Sequence, residues 1–372
     1  MTLTLPAFHD LSEDQDEVLT LPVDASALVV GAPGTGKTIM ALHRARMLHG
    51  QEHPTLLLMY NRLLSAYTRD AVETLGLDSL VLTYNQWLDQ WWRRYYRSSP
   101  PTTGPWQIDW MECKRILITE PPTAYEKQHV IIDEGQDLPA DFYLILRLIS
   151  RSIVVFADDN QRITDNQSTS REIRARTGIK RTLRLTRNRR NSRAIAGFAA
   201  DFHVGAAADR AELPSLSPAD QPPALLSFPD VDREVAHLVD YERENPQETI
   251  GVLLPRIDDV RRFYSLLSGF TRNPVQLHLN RTRLRPQDIR VDLATPGIKV
   301  LTWAGCKGVE FDSVFLPELQ RVVGDPAGDD LRMKLYVACT RARRRLTLMY
   351  AGQGEPTLVK HLPHALLLDL RP

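Results

Sequence analysis

No run in this sequence is apolar over the roughly 20 residues that a bilayer-spanning helix needs. Met1 to Asp10 has no basic stretch followed by an apolar core, so it does not read as a signal peptide, and the cytoplasm is the expected compartment. Cysteine is scarce. Cys113, Cys306 and Cys339 stand far apart without CxxC spacing, which supports neither a disulfide framework nor a zinc site. Net charge is also lacking: 46 Lys and Arg balance 46 Asp and Glu, which argues against a tight, nonspecific hold on nucleic acid by the chain as a whole. There is no internal repeat and no low-complexity tail.

What is present suffices for two compact cores. The chain has 372 residues, 43% of them hydrophobic and 25% charged, which is the balance of a globular protein. Charge is unevenly spread. Residues 171–193 carry ten Lys and Arg against one acid, Glu172, a run that reads on its own as a solvated helical face.

Short apolar runs alternate with helical patterns. Residues 25–30, 55–59, 80–83, 130–133 and 153–157 read as buried strands, with a helix expected over 38–49. After irregular, proline-rich residues 211–223 the alternation resumes, with strands over 224–228, 249–254, 299–302, 313–316 and 346–350 and helices over 232–245 and 258–267. Such alternation predicts parallel sheets covered by helices on both faces, and two of them here.

Gly31-Ala-Pro-Gly-Thr-Gly-Lys-Thr38 satisfies GxxxxGK[ST] between an expected strand and an expected helix, the context that phosphate binding requires. The loop residues Gly31, Pro33, Gly34, Thr35 and Gly36 are the expected nucleotide cradle. Its glycines would let backbone N–H groups wrap the phosphates at a helix N-terminus. Lys37 would reach the outer phosphates and Thr38 would bind Mg²⁺. A second strand ends in Asp133 and Glu134. Asp133 is the candidate to hold Mg²⁺, and Glu134 the candidate to orient and deprotonate an attacking water. Together they point to ATP hydrolysis.

Asp133-Glu-Gly-Gln-Asp137 resembles the DExQD box of the UvrD/Rep-like superfamily 1 helicases, and further boxes follow in that family's order. They are LLLMYNRLL (56–64), VLTYNQWL (81–88), FADDNQ (156–161), LRLTRNRRN (183–191), TWAGCKGVEF (302–311) and YVACTRAR (336–343). The resemblance implies two RecA-like domains, over 1–178 and 179–372, with an ATP cleft between them. It assigns adenine reading to Gln15, γ-phosphate sensing to Gln161, arginine fingers to Arg190 and Arg341, and a ribose contact to Glu310. It also implies single-strand contacts at Tyr60, Asn61, Thr83 and Thr302.

Four departures from that family stand out. The arginine and tyrosine that usually sandwich adenine are replaced by Ile39 and Arg189, which implies an inverted sandwich with Arg189 stacking on the base. No aromatic follows Gln161, so a base-stacking contact is lost. Ala304 replaces a histidine. Large helical insertions are reduced to a short segment over about 89–128. That segment opens with Gln90-Trp-Trp-Arg-Arg-Tyr-Tyr-Arg97, where Trp87, Trp91 and Tyr95 recur at i, i+4 and i+8 as a packing stripe. Packing is the favoured reading, and Trp92 and Tyr96 are left as the exposed candidates for stacking on a single strand.

The expected activity is ATP-driven, 3′-to-5′ movement on single-stranded DNA, with RNA as the alternative strand. The competing expectation is a regulatory ATPase switch that controls a partner protein, such as a nuclease or toxin. No membrane role is expected.

Overall fold

The computed structural model describes residues 11–59, 69–105, 107–123, 125–162, 167–206, 209–279, 292 and 295–372, with backbone alone at 69–71. The chain divides into two compact units, residues 2–186 and 187–372. Among the described residues no helix is long and apolar enough to cross a membrane.

The first unit is built on a six-stranded sheet. Its strands are β1 (Ala27–Gly31), β2 (Thr55–Met59), β3 (Val81–Thr83), β6 (Gln128–Ile132), β7 (Ser150–Ala157) and β8 (Arg181–Leu185); β4 (Thr102–Gly104) and β5 (Gln107–Ile108) form a separate antiparallel pair. The order is β3-β2-β6-β7-β1-β8, and every pairing in the six is parallel. Central strands β2 and β7 are near-continuous apolar runs, as strands buried on both faces must be. The order sets the chemistry: β7 lies between β1 and β6, so the loops leaving these three strands meet at one edge of the sheet.

The expected boundary at 178/179 falls too early. Strand β8 comes after it in sequence, yet pairs with β1 from Ala27↔Arg181 to Gly31↔Leu185 and closes the first sheet. Leu183 and Leu185 are buried there. The side chain of Asp14 then accepts from the backbone and hydroxyl of Thr186, fastening the end of the unit to its first helix, Glu13–Leu19.

The short segment expected to be an insertion is part of the first unit's core. Thr83 caps helix Tyr84–Tyr96 in a capping box with Gln86. Trp87, Leu88, Trp91 and Trp92 are buried in one cluster with Cys113 and Leu117 of helix Trp110–Thr119 and Phe142 of helix Ala140–Ile149.

The second unit carries a seven-stranded, wholly parallel sheet. Its strands are β9 (Ala224–Phe228), β10 (Thr249–Leu254), β11 (Gln276–Leu277), β12 (Gly297–Thr302), β13 (Phe311–Leu316), β14 (Ala342–Ala351) and β15 (Leu368–Asp369), in the order β11-β12-β10-β13-β14-β9-β15. Helices Val231–Glu244 and Ile257–Phe270 bury Val235, Leu238, Val260, Phe263 and Leu267 against it.

Candidate nucleotide site

The phosphate loop runs from the end of β1 into helix Lys37–Gly50. Gly34 at φ 81° and Gly36 at φ 92° both take a left-handed conformation, which a residue with a Cβ adopts only under strain. These two turns fold the loop back over the end of β1. Between them Thr35 is buried and donates its hydroxyl to the Ala32 carbonyl at 2.8 Å, beside buried Pro33. A Cβ on Gly36 would also stand 2.8 Å from Gln15 Nε2, and one on Gly31 would stand 2.6 Å from Thr35 Oγ1. Lys37 is buried; its Nζ donates to the carbonyls of Gly31 (2.6 Å) and Ala32 (3.1 Å) and lies 3.8 Å from Asp158 Oδ2.

At the end of β6, Asp133 is fully buried. Burial and the neighbouring charge of Glu134 push its carboxyl above the usual carboxylate range, while the Thr38 hydroxyl and the Lys37 ammonium pull the other way. Among the described residues, Asp133 Oδ2 has no hydrogen-bond partner. The Thr38 hydroxyl beside the buried Asp133 carboxylate is a pair of oxygen donors suited to a hard divalent cation.

Glu134 turns the chain into a short 3₁₀ stretch, Gly135–Asp137, with its own backbone at φ 54° and ψ 44°. A non-glycine residue in that region is uncommon and is held by its surroundings. They are identifiable here. Gly135 has no room for a side chain, because a Cβ would stand 2.3 Å from Val155 Cγ1, and its carbonyl accepts from Tyr143 Oη at 2.6 Å. Gln136 Nε2 donates to Glu134 Oε2 at 2.6 Å, and Gln136 Oε1 accepts from the backbone N–H of Asp158 at 2.9 Å. Asp158 Oδ2 accepts from Gln161 Nε2 at 2.8 Å.

One polar chain thus links Glu134, Gln136, Asp158 and Gln161, with Lys37 at its far side. All five side chains are at most 6% exposed. Sequence reasoning missed Gln136 and Asp158. The signal lay inside the DEGQD and FADDNQ boxes, but only the strand order shows that the two boxes meet.

Gln15 is buried and in contact with the phosphate loop. Its Oε1 accepts from Ser12 N at 3.2 Å and its Nε2 donates to the Thr35 carbonyl at 3.2 Å, so both ends of the amide are engaged.

In the second unit, Arg190, Glu310, Arg341 and Arg343 gather where β13 and β14 begin. Arg190 Nε lies 2.5 Å from Glu310 Oε2, and Arg343 Nε lies 3.7 Å from Glu310 Oε1. Asn191, also missed from sequence, pins the Arg190 loop to this place: its Nδ2 donates to the carbonyls of Thr340 (3.0 Å) and Ala342 (2.5 Å). Arg341 is 1% exposed and directs its guanidinium at the Val337 and Val309 carbonyls and the Thr340 hydroxyl. As placed, Arg341 ties β14 to helix Asp329–Cys339, and any phosphate contact would have to exchange those bonds. Arg189 is exposed.

The single-strand candidates fare differently. Tyr60 and Asn61 lie outside the described residues. Thr83 is occupied as a helix cap, and the Thr302 hydroxyl accepts from Gly305 N at 2.8 Å, holding the turn after β12. Trp92 corrects the expectation made for it. It is 1% exposed, so it offers no free face to a base; Trp87, Leu88, Trp91 and Trp92 share one broad buried face of the helix, wider than the i, i+4, i+8 stripe. Tyr96 is half-buried and donates its hydroxyl to the Glu120 carbonyl.

Residues 15–166 match the AAA domain family, and residues 225–353 match the UvrD-like helicase C-terminal domain family. The second unit is thus similar to the C-terminal domain of UvrD-like helicases, and the first to an AAA domain. Two parallel α/β sheets flanked by helices fit two RecA-like domains. A 62-residue stretch is 37% identical to RecBCD enzyme subunit RecB of Chlamydia pneumoniae, spanning 17% of this chain and 6% of that protein. The chain therefore spans a small fraction of that relative's length. The C-terminal domain of a possible DNA helicase from Lactobacillus plantarum aligns over 48% of this chain and 97% of its own at 22% identity, with a TM-score of 0.36, which is too low to bear on the fold.

Proposed function

We propose that this UvrD-like chain is an ATP-hydrolysing motor that moves 3′ to 5′ along single-stranded DNA. The observation that carries the hydrolytic part is the buried chain Glu134–Gln136–Asp158–Gln161 beside Lys37, because it fixes a base, a sensor and a phosphate-reaching ammonium on three adjacent strand ends. Gly34 and Gly36 leave the loop's backbone free to close around the phosphates, and Lys37 leaves its loop carbonyls for the outer ones. Glu134, oriented by Gln136, aligns the attacking water and takes its proton. Gln161 reports the terminal phosphate to the same chain through Asp158. Thr38 and Asp133 would hold Mg²⁺, whose chemistry is to neutralise charge on the phosphate oxygens. Arg190 is the second-unit arginine assigned to the charge that develops during transfer, and its ion pair with Glu310 would have to open for that role.

A second reading keeps the hydrolysis and replaces movement with switching of a partner such as a nuclease or toxin. The burial of Trp92 favours it, since a stacking platform is lost. One experiment separates the two: ATP turnover with and without single-stranded DNA, across a salt series. The motor requires strong stimulation that weakens with salt. A flat response at every salt concentration leaves the switch.

A further inference from the structure

Helix Ser170–Thr177 and the turn that follows it carry cations that the nucleotide site does not use. Arg171, Arg174 and Lys180 are exposed, as is Arg147 of the neighbouring helix Ala140–Ile149. Arg171 and Arg174 are three residues apart, which puts them on adjoining positions of one helix face. Gly178 closes the helix at φ 79° by donating its N–H to the Arg174 carbonyl at 2.8 Å. The guanidinium carbon of Arg147 lies 3.5 Å from where a Cβ on Gly178 would be, so Arg147 lies across this turn, two residues before Lys180. Four exposed cations thus belong to this helix, the turn that ends it and the side chain lying over that turn, directly before edge strand β8.

Among the described residues none of the four has an ion pair. Five other exposed arginines of this unit do, Arg93 with Asp89, Arg115 with Glu112, Arg151 with Asp24, Arg176 with Asp141 and Arg181 with Glu17, while Arg46, Arg94 and Arg97 stand apart from this strip on or at the end of other helices. The acid closest in sequence, Glu172, is committed to its own helix, where Oε2 accepts from both the N–H and the hydroxyl of Thr169 at 2.8 Å. Helix stability does not explain the set. A cation in the last turn complements the helix dipole, but Arg171 is in the first turn, where the dipole disfavours it.

We infer that this strip is a second nucleic-acid surface, one that binds the phosphate backbone of a DNA duplex. Charge complementarity selects a polyanion, and the four named side chains select the duplex over a single strand. Single-strand sites pair cations with aromatic platforms for unstacked bases, and this strip is made of cations alone. Backbone contact without base contact is what a duplex, with its bases already stacked, offers. The inference rests on the reading that the chain works on DNA.

The test uses the full chain with Arg147→Gln, Arg171→Gln, Arg174→Gln and Lys180→Gln combined, binding a blunt DNA duplex over a salt series without ATP. The slope of log affinity against log salt should become shallower by about 0.9 for each phosphate contact removed. Basal ATP turnover should be unchanged, which also reports that the first unit is folded; if it is lost, the pair Arg171→Gln and Lys180→Gln takes the place of the four. Neutralising Arg46, Lys127 and Lys360 instead should leave the slope as it was. An unchanged slope in the strip variant, an equal loss in the control, or a wild type without duplex affinity at low salt overturns the inference. So does a variant that loses binding to polyglutamate while keeping duplex binding, because the strip then serves an acidic protein. A wild type whose ATP turnover ignores single-stranded DNA sinks the motor reading instead, and duplex binding is read independently of it.

Discussion

In the proposed hydrolysis Glu134 is the group that reacts and Gln136 the group that aims it. Glu134→Gln keeps the size and loses the base, so ATP turnover is expected to fall by about 10²–10⁴-fold with nucleotide binding retained. Gln136→Ala leaves the base and removes its two restraints, Glu134 Oε2 and the Asp158 amide. A base out of position by an ångström costs on the order of 10²-fold, and the loss should appear in kcat with KM for ATP nearly unchanged; a KM-only effect would count against a positioning role. Gly34, Lys37, Thr38, Asp133 and Glu134 could be proposed from the sequence alone because phosphate and metal chemistry dictates residue types at fixed spacing, and the structure brings them to the edge where β1 and β6 end. Gln136, Asp158 and Asn191 could not, since each acts on a backbone or side-chain group brought near only by strand order. Glu234 is a residue of another kind. It is fully buried, Oε1 accepts from Glu318 N, Oε2 has no hydrogen-bond partner among the described residues, and burial pushes its carboxyl up to about 8 from an ordinary 4.5. The folded chain therefore holds a proton that the unfolded chain releases between those values. Its contribution is full below the lower value and is lost as pH rises through the upper one. Glu234→Gln should accordingly gain in melting temperature relative to wild type as pH is raised from about 5 to about 9, and parallel curves would show that the site is not protonated in the fold.

At the scale of elements, the two units repeat one corner and use it differently. Strand β6 leads to Glu134 at φ 54° and ψ 44°, and strand β13 leads to Glu318 at φ 56° and ψ 41°; a 3₁₀ stretch follows each. In the first unit the corner points its carboxylate into the polar chain beside the phosphate loop. In the second, Glu318 is paired with Arg262, and its backbone N–H is given to Glu234. The parallel strands were readable because apolar runs of 5–8 residues bounded by turns have few other solutions. Helix Tyr84–Tyr96 was harder, because an aromatic helix with arginines between the rings fits both a packed face and a stacking platform. Its rings decide for packing: Trp92 stands 4.8 Å from Tyr96, and Trp87 5.9 Å from Phe142. Trp92→Ala is expected to cost about 3–5 kcal/mol of first-unit stability, read from denaturant unfolding. A variant of unchanged stability that binds single-stranded DNA poorly would restore the platform.

For the whole molecule, the sequence made the count of two sheets plain and misplaced the join. Residues 179–186 follow a basic helix and look like the start of something new, and only pairing with β1 assigns β8 to the first sheet. That assignment matters for how the chain should unfold. Five of the six tryptophans, at 87, 91, 92, 106 and 110, fall within residues 2–186, and only Trp303 falls in the other unit, so intrinsic fluorescence reports mainly the first. The phosphate loop belongs to that same unit. A nonhydrolysable ATP analogue with Mg²⁺, at about 100 times its Kd, should stabilise the fluorescence-detected transition by about 2.7 kcal/mol. Lys37→Ala should abolish the gain, because the proposed site has this ammonium meet the outer phosphates. If the gain survived in that variant, the nucleotide would be binding without the loop, and the assignment of β1, β6 and β7 as the catalytic edge would fail with it.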